Sequence, residues 1–164
     1  MLEKQLQTTK RDEVRFLTRV NPLARKQYSP CVLVVDDDQV ILHLNSSILR
    51  KKGYEVVVCR EAAAAVAIVK AREIDLAILD FQMPTMNGAE LAALCKAEHP
   101  EMKVVLFSGH LGMTKPELAF VDLFIAKSEG VLALVEAVKS LLPRSLPLDK
   151  HATHSENGRP ILPD

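Results

Sequence analysis

Between residues 31 and 142, short runs of apolar, mostly β-branched residues alternate with stretches of helical periodicity, and this alternation constrains the fold more than any other feature. CVLVV (31–35), YEVVVC (54–59), DLAILD (75–80), KVVLF (103–107) and VDLFIA (121–126) have strand length and near-continuous apolarity. Such runs suit a parallel sheet covered on both faces. Residues 39–52 follow the first run, with Val40, Ile41, Leu44 and Ile48 expected on one helical face and Gly53 as the stop. The alanine-rich 61–72 carries Val66 and Val69 on one side. Asn87, with Glu90 three residues on, opens a capping box for a helix bearing Leu91, Leu94 and Cys95. Thr114-Lys115-Pro116-Glu117 predicts a short helix between the fourth and fifth strands. Residues 128–142 place Val131, Leu134, Val135, Val138, Leu141 and Leu142 in one apolar stripe. Five strands alternating with five helices predict a three-layer α/β sandwich, its parallel sheet in the order 2-1-3-4-5 with helices on both faces.

The flanks differ in composition. Residues 1–30 carry seven Lys or Arg and three Asp or Glu, whereas residues 31–142 carry eleven basic and fifteen acidic side chains. The first segment reads as a basic, flexible or partly helical extension, with a weak helical signal around 2–19 from Leu6, Val14 and Leu17. It could touch nucleic acid, a membrane or the acidic domain; a solvated tail is the simpler reading. Pro143, Pro147, Pro163 and the polar HATHSENGRP stretch predict a disordered tail over 143–164. No apolar run reaches the ~20 residues of a membrane helix. The N-terminus lacks a secretory pattern. Cys31, Cys59 and Cys95 are odd in number and sit in apolar stretches, so buried thiols in a reducing cytoplasm are expected. The scattered histidines are given no functional role.

In an open parallel sheet the ligand site lies beyond the carboxyl ends of the strands. Strand 1 ends in Asp36-Asp37-Asp38, strand 3 in Asp80, strand 4 runs into Ser108-Gly109 and strand 5 into Lys127. The topology thus gathers carboxylates, a hydroxyl and an ammonium. Clustered carboxylates repel one another and favour a hard cation such as Mg2+. A carboxylate beside that charge can attack a phosphoryl group. Each signal alone has a plain alternative: Asp38 can simply cap the next helix, Ser-Gly can be a turn, and a lysine after a strand is usually solvated. Their joint placement on successive strand ends carries the weight.

The motifs VLVVDDD (32–38), LAILDFQMPTMNG (76–88), VVLFSG (104–109) and FIAK (124–127) resemble those of response regulator receiver domains, and the resemblance spans 31–142. It implies the flavodoxin-like, CheY-like fold of two-component phosphorelay proteins. It implies Asp80 as the phosphorylated residue. Asp36, Asp37, Asp80 and the backbone carbonyl of Gln82 would hold Mg2+. Ser108 and Lys127 would contact the phosphoryl group, with Ser108 and Phe124 as the switch pair. Such a domain is a phosphoacceptor that catalyses its own phosphorylation and slow dephosphorylation, not a classical enzyme. The donor would be a histidine kinase or a histidine phosphotransfer protein. The family pattern places proline after the lysine, where this chain has Ser128, and a longer segment before Phe124.

Since 22 residues follow Leu142, a stand-alone receiver with a protein–protein output is expected, its downstream partner unnamed. Direct DNA binding is not expected; a homodimer stays open. The alternative is a phosphate sink or a degenerate interaction module. A phosphohydrolase of the haloacid dehalogenase type would need a second Asp two residues after the nucleophile, where Gln82 stands. A dinucleotide-binding domain would need GxGxxG after strand 1, which is absent.

Overall fold

The computed structural model describes residues 29–142, so the expected N-terminal helix and the two tails lie outside the described residues. The five apolar runs form β1 (Cys31–Val35), β2 (Glu55–Cys59), β3 (Leu76–Leu79), β4 (Lys103–Ser108) and β5 (Leu123–Ala126). All pair in parallel, in the order β2-β1-β3-β4-β5. Every residue of the central β1 and β3 is buried, while the edge strands β2 and β5 expose Glu55, Val58 and Leu123. Near-continuous apolarity in the central strands therefore reflects helices on both faces.

Alternation along each strand divides the core in two. Leu33, Val35, Ala77, Leu79, Val104 and Leu106 face one way and pack with Ala65 and Val69 of α2 (Ala62–Ala71) and Leu91 and Cys95 of α3 (Gly88–Glu98). Val32, Val34, Leu76, Ile78, Val105 and Phe107 face the other way, against Leu42 and Leu49 of α1 (Gln39–Lys51) and Leu134, Val135 and Val138 of α4 (Gly130–Leu141). At the far end of the sheet two aspartates hold the register. Asp75 Oδ2 accepts the Cys31 amide at 2.8 Å, and Asp122 Oδ2 accepts the Val104 amide at 2.8 Å.

Two expectations need correction. The buried face of α1 is Leu42, Asn45, Ser46 and Leu49, whereas Val40 and Leu44 are 74% and 45% exposed. The apolar stripe misleads because two polar residues occupy the inner face. Between β4 and β5 there is no regular helix, only turns over 115–120. The Thr114–Glu117 cap does form, with Glu117 Oε2 accepting the Thr114 amide at 2.7 Å. The residues after the cap bond mostly from i to i+3: Leu118 N to Lys115 O, Ala119 N to Pro116 O and Val121 N to Leu118 O. A single capped turn does not offset the cost of helix nucleation without propagation. Among the described residues no helix is long and apolar enough to cross a membrane.

Candidate functional site

β1 and β3 are neighbours, and the residue after each is a carboxylate. Ladder hydrogen bonds continue past both strands: the Asp80 amide donates to Val35 O at 2.9 Å and the Asp36 amide to Cys59 O at 3.4 Å. The two carboxylates are thereby held at the same edge, 3% and 6% exposed. Ligand oxygens of Asp36, Asp37 and Asp80 all lie within 4.8 Å of one another. The three consecutive aspartates do separate work. Asp36 Oδ1 accepts the Asp38 amide at 2.9 Å. Asp38 caps α1, accepting from Val40 N at 2.7 Å and Ile41 N at 3.3 Å, its plainest expected role. The half-buried Asp37 is left to face the cluster, and Arg60 donates to its backbone carbonyl.

Lys127 enters at the same carboxyl edge from the end of β5, the edge strand beyond β4. Its Nζ lies 2.7 Å from Asp36 Oδ2 and 3.0 Å from Asp80 Oδ2. Burial pushes the Asp36 carboxyl above its usual range, and the Lys127 ammonium and Asp38 amide only partly offset this. Burial pulls the Lys127 ammonium down, but its hydrogen bonds to Asp36 and Asp80 outweigh that and hold it above the ordinary lysine value. The lysine turns inward on a 3-10 turn, Lys127–Glu129, where Glu129 Oε1 accepts the Ala126 amide at 2.9 Å. Gly130, at φ 79°, then starts α4 from a conformation that side-chain-bearing residues rarely adopt. The Lys127–Ser128 peptide is trans, like every peptide bond among the described residues.

Ser108 closes β4, fully buried, its Oγ accepting the His110 amide at 3.0 Å. The His110 ring stacks on Phe81, the residue after Asp80, with centroids 5.3 Å apart and planes 10° from parallel. Phe124 registers with Leu106 and packs against the same apolar cluster. Leu106 and Ser108 are two apart on β4, so Phe124 and Ser108 share one side of the sheet. Gln82 is exposed in the loop after Asp80, where Thr85 adopts φ 72°. Gly88 supports this loop from behind: a Cβ there would come 2.2 Å from Asp80 O and 2.8 Å from Leu106 Cδ1.

The structure thus brings Asp36, Asp37, Asp80 and Lys127 into one cluster, with Ser108 on the adjoining strand end and Phe124 on the edge strand beyond. Arg60, Phe81, Glu129, Gly88 and His110 join them without having been singled out. Glu129 accepts the amide of Ala126, three residues back, but alanine is not a capping residue and gives no sequence signal; the Arg60 contact spans 23 positions and has no local signal either. A buried carboxylate next to an ammonium, with two further carboxylates beside it, is equipped for attack on an electrophile whose negative charge a cation and an ammonium share.

The profile of the response regulator receiver domain family matches residues 32–139. The chain is 31% identical over 98 residues to the CAI-1 autoinducer sensor kinase/phosphatase CqsS of Vibrio cholerae, covering 60% of this chain and 14% of that one. It is 41% identical over 81 residues to the nitrogen assimilation regulatory protein NtrX of Azorhizobium caulinodans, covering 48% and 18%. The chain therefore spans less than a fifth of either relative's length. Among solved structures it is similar to the response regulator TrrA of Thermotoga maritima in complex with Mg2+ and BeF, at 29% identity and TM-score 0.66, covering 69% of this chain and 99% of that one. TrrA bound to the histidine kinase ThkA matches at 29% identity and TM-score 0.64, covering 69% and 98%.

Proposed function

The chain belongs to the response regulator receiver domain family, and on that premise we propose that Asp80 accepts a phosphoryl group from a histidine kinase or histidine phosphotransfer protein. The carrying observation is Lys127, 3.0 Å from a buried Asp80 carboxylate that sits within 4.8 Å of two more. The solved complex of TrrA with ThkA supports the class of donor.

The residues fit Mg2+: three clustered carboxylates supply the hard oxygen donors that such an ion takes alongside water and phosphate. Asp36, Asp37, Asp80 and the Gln82 carbonyl would hold it. When bound, the ion supplies positive charge to the phosphoryl oxygens. Asp80 Oδ attacks phosphorus as the donor's phosphorus–nitrogen bond breaks, its electron pair leaving with the imidazole. Lys127 pairs with a phosphoryl oxygen. Ser108 keeps its hydroxyl proton while accepting from His110, so it can donate to another oxygen. Water later attacks phosphorus, the bond to Asp80 breaks and inorganic phosphate leaves.

The unnamed downstream partner would read the face formed by 109–122, β5 and α4. A phosphate sink is the second reading, favoured by the absence of a regular helix at 115–120. The free thiols Cys31, Cys59 and Cys95 support a reducing compartment such as the cytoplasm. Labelling with acetyl phosphate tests the reading. Label should appear with Mg2+, vanish with chelator and be absent from Asp80→Asn; equal labelling of that variant overturns it.

A further inference from the structure

Arg60 stands just beyond β2 and reaches the loop after β1. Its Nε and Nη2 both donate to one oxygen, the backbone carbonyl of Asp37, at 3.1 and 2.8 Å. The other two carboxylates of the cluster have their own restraints: Asp36 takes the Lys127 ammonium and the Asp38 amide, and Asp80 takes the same ammonium. Among the described residues, the Asp37 side chain makes no hydrogen bond or ion pair. Asp37 is also the most accessible of the three, half-buried where the others are buried. No partner orients its carboxylate directly, so the position from which the side chain departs rests on the backbone, and the fork from Arg60 restrains that backbone. Two donors on one carbonyl restrain rotation of the peptide more than one would.

We propose that Arg60 is a positioning residue for the cation site, holding the Asp37 carboxylate towards Asp36 and Asp80 through the Asp37 carbonyl. The proposal rests on the reading of these carboxylates as a Mg2+ site. Charge and geometry make opposite predictions for Arg60. As a cation near a cation site it repels Mg2+, so its removal should tighten binding if charge alone mattered. As a positioning residue its removal should weaken binding.

The test is a Mg2+ titration of the full chain, by calorimetry and by melting temperature, for wild type, Arg60→Ala and Arg60→Lys. Lysine keeps the charge but lacks the planar two-donor fork. Both variants should bind Mg2+ about tenfold more weakly, in the range for lost supporting hydrogen bonds. Their melting temperatures without Mg2+ should stay close to wild type, separating positioning from a general structural role. In metal-free protein, amide exchange at 37–39 should quicken in both. Binding by Arg60→Ala that equals or exceeds wild type overturns the proposal, as does unchanged exchange at 37–39 in Arg60→Lys. A wild type that binds no Mg2+ overturns the underlying site assignment and the proposal with it.

Discussion

The Lys127 ammonium and the Asp36 carboxylate meet at 2.7 Å, beneath a surface that leaves the aspartate side chain only 4% exposed. The same nitrogen also balances Asp80. One cation thus serves two buried carboxylates, and a second cation would share that duty.

Lys127→Ala should destabilise the metal-free domain by about 3 kcal/mol, the cost of leaving a buried partner unpaired. Its Mg2+ affinity should hold or rise, since the repelling ammonium is gone. In wild type, Mg2+ at ten times its Kd should add about 1.4 kcal/mol. Asp37→Ala should lose most of that gain. Thermal melts with and without Mg2+ measure all three. Loss of the Mg2+ response in Lys127→Ala would contradict the assigned role.

Gly88→Ala should damage both stability and Asp80 chemistry. The new methyl would lie 2.2 Å from Asp80 O, a backbone atom that cannot swing aside. Overpacking of this kind costs about 1–3 kcal/mol. Either α3 or the end of β3 must shift, so labelling of Asp80 should slow. A variant with unchanged melting temperature and labelling rate would show that the contact relaxes freely.

Asp122 supplies a pH dependence. Burial raises its carboxyl, but Lys96, the Val104 amide and Lys103 together hold it below the ordinary value of 3.8. Such a group binds fewer protons folded than unfolded, so its stabilisation is present above 3.8 and is lost as pH falls through the depressed value. Asp122→Asn should cost about 1.5–3 kcal/mol at neutral pH, typical of hydrogen bonds to a charged group. Denaturant titrations should find the gap to wild type closing below about pH 4. A gap that widens in acid would refute this account.

Phosphorylation should be felt in 109–127. Donation from Ser108 to a phosphoryl oxygen would pull on the hydroxyl that also accepts the His110 amide, and the His110 ring stacks on Phe81. Phe124 lies on the same side of the sheet, and a phenylalanine ring can move inward without stranding a hydroxyl. Beryllofluoride with Mg2+ should therefore alter amide exchange across 109–127. Changes confined to 80–90 would favour a phosphate sink over a switch.

The sheet order and the residues at the strand ends were legible because apolar runs and their terminating charges are local signals. Asp36, Asp80, Ser108 and Lys127 could be placed by topology alone. The inner face of α1 was not legible: Asn45 and Ser46 are buried there at 2% and 3%, against the hydrophobic pattern. The segment after Thr114 has a helix start signal, yet the structure forms only turns. Arg60 acts on Asp37 across 23 positions, a contact that exists only once β1 and β2 pair. His110 is likewise brought to Phe81 by the pairing of β3 and β4.

The central claim is that Asp80 is the nucleophile. Treating the chain with acetyl phosphate and Mg2+, reducing the acyl phosphate with borohydride and mapping the product by tandem mass spectrometry tests it directly. The account predicts one reduced side chain, at position 80, and none in Asp80→Asn. Modification at another carboxylate with position 80 untouched, or a label carried by a histidine or as an acid-stable phosphoserine instead, would contradict it.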